Sequence, residues 1–64
     1  MKSFTPKLVK LLRKHGCEFI RHGKGDHSIW YSPITKQKLI VDGAIPSRHT
    51  ANSILKAAGI THKF

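Results

Sequence analysis

The chain has 64 residues, and its 12 Lys and Arg outweigh 3 Asp and Glu to give a formal net charge of +9 with histidine neutral. That length suits one small domain of marginal stability, expected to span residues 1–64, and leaves no room for a large enclosed cavity. Three acids all but exclude paired-carboxylate chemistry, and the single cysteine, Cys17, has no partner for a disulfide or a structural zinc site.

Thr5 is a good N-cap and Pro6 suits the first position of a helix. Phe4, Leu8, Leu11 and Leu12 then recur at helical spacing, with Lys7, Lys10, Arg13 and Lys14 elsewhere around the cylinder. Gly16 ends this helix, and the cations before it suit the negative end of its dipole. Residues 17–22 read as a first strand, and Gly23, Lys24, Gly25 and Asp26 as a turn. Residues 27–32 carry the clearest strand signal, with Ile29, Trp30 and Tyr31 in a row, and Pro33 closes it. A polar connection leads to a third strand at residues 38–41, and a turn region covers residues 42–46. Ser47 caps a last helix whose Ala51, Ile54, Leu55 and Ala58 share a face, and Gly59 stops it. The tail, residues 61–64, is expected to fray.

The expected fold is therefore α+β. Its α-β-β-β-α order gives a three-stranded antiparallel sheet with two amphipathic helices on one face and the other face open. Strand alternation sends Trp30 and Tyr31 to opposite faces, Trp30 to the core and Tyr31 to the open side.

A net charge of +9 exceeds the ~2–8 that serves solubility in a small domain. It points to a polyanion: nucleic acid first, an anionic membrane second, an acidic protein partner third. No apolar run approaches the ~18 residues that a spanning helix needs. The first residues lack the apolar run of a signal peptide, so a cytoplasmic location is expected.

Five histidines are present, His15, His22, His27, His49 and His62, with none of the usual zinc spacings. Most are expected to be basic surface residues. No serine sits in a nucleophile-elbow context. Cys17, beside a helix-ending glycine, reads as a packing residue rather than a nucleophile. RNA cleavage asks for other parts. The 2′-OH must lose a proton, the 5′-oxygen must gain one, and charge at phosphorus must be stabilised. Histidine serves both transfers near neutral pH, and Lys or Arg serves the third need without a metal.

His27 is the best placed of the five, at the start of the central strand after the Gly-Lys-Gly-Asp turn. The glycines permit close backbone approach to a phosphate, and Lys24 adds charge there. Tyr31 could stack on a base. Ser47, Arg48 and His49 open the last helix, where backbone N–H groups and Arg48 either hold a phosphate or serve as an ordinary cap with a solvated arginine.

The segment GKGDHSIWYSP, residues 23–33, resembles the glycine–histidine segment of HicA-type mRNA interferase toxins. The segment IPSRHTANSILKAAGI, residues 45–60, is similar to their closing segment, and KLVKLLRKHGCEFIRHGKG to their first helix and strand. The three pieces cover nearly the whole chain in the family's order. The resemblance implies a fold like that of a double-stranded-RNA-binding domain, metal-independent cleavage of mRNA, and a HicB-type antitoxin that covers the active site. It places the catalytic histidine at His27. Asp26 stands where Ser is frequent in the family, so no hydroxyl is available there.

The reading is a metal-independent endoribonuclease of mRNA that needs no cofactor, with His27 catalytic and Lys24, Gly25, Arg21, Tyr31 and Arg48 binding RNA. Its expected partners are mRNA and the antitoxin, with no membrane and no direct DNA binding. A helix-turn-helix is disfavoured because strands separate the two helices. A non-catalytic RNA-binding module and a regulatory protein with an acidic partner are the alternatives.

Overall fold

The computed structural model describes residues 3–64. Met1 and Lys2, at the start of the segment read for a missing signal peptide, lie outside the described residues. The elements run α1 (Thr5–Lys14), β1 (Glu18–His22), β2 (Ser28–Ser32), β3 (Gln37–Val41) and α2 (Arg48–Ala57). The strands form one antiparallel sheet in the order β1-β2-β3, so the expected α-β-β-β-α architecture holds.

Both helices end as their glycines dictate. Gly16 and Gly59 take φ values of +85° and +78°. Each lets the next residue turn back to donate to a carbonyl of the last turn: Cys17 N–H to Leu12 O at 2.9 Å, and Ile60 N–H to Leu55 O at 2.9 Å. These are Schellman caps, and the apolar pairs that accompany them, Cys17 with Leu12 and Ile60 with Leu55, are all buried.

The start of α1 departs from the expectation. Its N-cap is Phe4, with no side-chain cap, and Thr5 is already the first helical residue. The Thr5 hydroxyl has distant partners instead. It donates to Asp42 O at 3.0 Å and accepts from Ile45 N–H at 3.0 Å. Phe4 N–H donates to Ile45 O at 2.8 Å beside it. The start of α1 is thereby clasped to the β3–α2 connection. At α2 the expected cap forms, Ser47 Oγ accepting from His49 N–H at 3.2 Å.

In the sheet, Ser28, Trp30 and Ser32 face Val41, Leu39 and Gln37 across β2–β3. Trp30, Leu39 and Val41 are buried with Leu8, Leu12, Ala51, Leu55 and Ala58 of the helical layer. Arg13 of α1 lies over the Trp30 ring, 5.5 Å from its centroid. Ser32 is wholly buried and donates to Ala58 O at 2.6 Å, while Thr35 donates to Ala57 O at 2.8 Å. The hairpin between β2 and β3 thus satisfies carbonyls that the end of α2 leaves free. The tail does not hang loose. Phe64 N–H donates to Asn52 Oδ1 at 2.8 Å, and the Phe64 ring packs 5.2 Å from that of Phe4.

Candidate active site

The opposite sheet face carries Ile29 and Tyr31 of β2, with Ile40 and Lys38 directly across on β3. Ile40 is 61% exposed, and Ile29 and Tyr31 are half-buried. On the other side of β2, Glu18 pairs with Tyr31 and Arg21 with Ile29. The register shifts between Phe19 and Arg21, a bulge at Ile20 that returns Arg21 to the face of Ile29 and Tyr31. This is a shallow open surface of apolar, aromatic and basic side chains, with Glu18 at its β1 edge.

At one end of it stands His27, one residue before β2 rather than its first residue. Its backbone is fixed by the turn: Gly23 N–H donates to His27 O at 2.7 Å, and His27 N–H approaches Lys24 O at 3.4 Å. Gly23 packs closely there, since a Cβ on it would stand 3.4 Å from His27 Cβ. Gly25 has φ +69° and open space around it, so the turn presents bare backbone to solvent at that point. Lys24 between them is exposed.

The Ser28–Val41 pairing, continued by one residue, sets His27 opposite Asp42. His27 Nε2 lies 3.0 Å from Asp42 Oδ1, with both side chains 46% exposed. A proton on Nε2 donated to the carboxylate leaves Nδ1 of a neutral ring with its lone pair. Nδ1 has no hydrogen-bond partner among the described residues. The arrangement is a half-exposed imidazole with one nitrogen held by an acid and the other free to exchange a proton, beside a glycine turn bearing a lysine.

The chain matches, over residues 6–60, the family model described as HicA toxin of bacterial toxin-antitoxin. The chain belongs to the HicA toxin family. No curated protein and no solved structure matches it. It is therefore the toxin of a toxin–antitoxin pair, with an antitoxin as partner.

Of the residues singled out in the sequence of this HicA toxin, the fold brings Lys24, Gly25 and His27 into one turn. Arg21 and Tyr31 lie on the adjoining open face. Arg48 stands apart, exposed in the first turn of α2. His15, His22, His49 and His62 are exposed, and Cys17 is a buried free thiol. No group of three or more His, Cys, Asp or Glu side chains converges as a metal site among the described residues. No described helix is long and apolar enough to cross a membrane. Sequence reasoning missed Asp42, which it took only as part of a turn. The one available signal was register: once Ser28 is paired with Val41, the next pair is His27 with Asp42.

Proposed function

We infer that this HicA toxin is a metal-independent endoribonuclease that cleaves mRNA, with His27 as its catalytic residue, and that its antitoxin neutralises it. The observation that carries the reading is the His27 imidazole, half-exposed at the glycine turn with Nε2 on Asp42 and Nδ1 free. Nδ1 takes the proton of a ribose 2′-OH, and the 2′-oxygen attacks the adjacent phosphorus. The bond from phosphorus to the 5′-oxygen breaks, and that oxygen takes a proton from the imidazolium. The products are a 2′,3′-cyclic phosphate and a free 5′-OH, and the ring returns to its starting state. Lys24 stabilises the added negative charge, and the bare backbone at Gly25 lets the phosphate approach. Arg21 and Arg48 hold phosphates, and Tyr31 offers its ring to a base.

The test is cleavage of a defined mRNA in EDTA by the toxin and by His27→Ala. Cleavage by the first and none by the second, with RNA binding kept, is the expected result. Binding without cleavage by either protein would make the chain an RNA-binding module instead. Activity lost only on adding EDTA would overturn the metal-free chemistry.

A further inference from the structure

We propose that Asp42 is a positioning residue for His27: its carboxylate selects the protonated nitrogen of the ring, aims Nδ1 outward and stabilises the imidazolium formed during cleavage. The proposal rests on the cleavage reading above for its catalytic consequence, but the His27–Asp42 geometry stands by itself.

Electrostatics raise the question first. A protein whose ligand is a polyanion gains nothing in affinity from a carboxylate beside its contact surface, where it repels phosphate. This chain has only three acids in all. One of them is nevertheless 3.0 Å from Nε2 of the candidate catalytic histidine. A role in proton chemistry accounts for that placement, and a role in binding does not.

The backbone around Asp42 is held from both sides. Val41 before it is a buried β3 residue at 1% exposure. Asp42 O accepts from the Thr5 hydroxyl, which also accepts from Ile45 N–H, so the connection is clasped to α1. Gly43 after it packs so closely on Asp26 that an added Cβ would meet the Asp26 carboxylate at 2.7 Å. His27 is fixed from its own side by the Gly23 hydrogen bond. Two side chains on separately anchored segments meet in one geometry, as a proton-transfer pair requires.

Chemically, a neutral imidazole has two tautomers, and only the one with its proton on Nε2 offers Nδ1 as a base. The carboxylate favours that tautomer. When Nδ1 takes the 2′-OH proton, the same carboxylate faces the new positive charge. The pair is half-exposed, so water screens it, and the effect is expected to be smaller than the ~10⁴-fold loss known where such a carboxylate is fully buried.

The experiment compares the full-length toxin with Asp42→Asn and Asp42→Ala. In single-turnover cleavage of a defined RNA, the maximal rate is expected to fall about 10- to 100-fold in both variants. Affinity for the same RNA bearing a 2′-deoxy residue at the scissile site is expected to hold or to tighten, because a negative charge has been removed. Nitrogen-15 NMR of the His27 ring is expected to show the Nε2–H tautomer in the parent and a loss of that bias in Asp42→Ala. A parent-like tautomer in Asp42→Ala overturns the proposal. So does a rate within twofold of the parent, or a rate loss matched by weaker RNA binding. If the parent itself cleaves nothing, the cleavage reading fails, and the tautomer signature still decides whether Asp42 orients His27.

Discussion

Thr5 gives the most informative perturbation of the scaffold. Thr5→Val keeps the shape of the side chain and removes the hydroxyl that bridges Asp42 O and Ile45 N–H, each at 3.0 Å. Ile45 is 1% exposed, so its N–H loses an acceptor where water has poor access. Each hydrogen bond contributes about 1 kcal/mol net, and an unsatisfied buried donor costs about 1–3 kcal/mol. The expected loss is about 2–4 kcal/mol, against a total of roughly 3–10 kcal/mol for a domain of this size. Urea unfolding followed by fluorescence of the single, buried Trp30 measures it. Thr5→Ser keeps the hydroxyl and should lose less than about 1 kcal/mol. Thr5→Asp separates the clasp from ordinary capping. It would improve a helix N-cap, but it places a carboxylate against Asp42 O and should destabilise the fold. Equal stability of the Val and Ser variants, or a gain in the Asp variant, would refute the clasp.

Gly59→Ala and Gly16→Ala share the strain of a positive φ, about 1–2 kcal/mol, but differ in packing. A Cβ on Gly59 would stand 2.5 Å from Ile34 Cγ2, whereas on Gly16 its nearest neighbour is Pro33 Cγ at 3.7 Å. Gly59→Ala should therefore cost about 1–3 kcal/mol more than Gly16→Ala in the same urea assay; equal costs would deny the packing of the β2–β3 hairpin on the end of α2. On the open face, Tyr31→Ala in a His27→Ala background should weaken single-stranded RNA binding by about 1–3 kcal/mol, read by fluorescence anisotropy, with an unchanged affinity counting against stacking. Arg21→Ala should reduce the slope of log affinity against log salt by about 0.7, and an unaltered slope would place its guanidinium off the RNA path.

Local features were legible because their causes are local. Gly16 and Gly59 stop the helices through their own φ values, and Ser47 caps α2 through an N–H two residues on. The separation of Trp30 from Tyr31 follows from alternation alone. What the sequence hid depends on partners far along the chain. Thr5 looks like a cap, yet its hydroxyl partners lie 37 and 40 residues away. Ser32 looks like a polar strand end, yet it is fully buried on Ala58 O, 26 residues away. The His27–Asp42 pair depends on how β2 and β3 register, which the Ser32–Gln37 closing pair and the left-handed Lys36, at φ 56°, set together. Residue type alone gives no such register. In the tail expected to fray, Phe64 is instead held by Asn52 and Phe4, because it brings a ring to an apolar edge.

The distribution of charge fits a division of labour across the two layers. Neither helix contains an acid, and neither has one in its first turn to offset the positive end of its dipole. The helical layer thus gives up a small stabilisation and gains an unbroken positive field, which draws a polyanion from a distance. The three acids fall instead on the sheet and its turns: Glu18 opposite Tyr31, Asp26 against Gly43, and Asp42 on His27. Carboxylates near the open face limit how tightly phosphate binds there. For the proposed nuclease that is a favourable trade, since a bound cyclic phosphate must leave before the next cleavage. Removing Asp42 should then lower turnover while affinity holds or rises, a combination that a purely scaffolding residue would not produce.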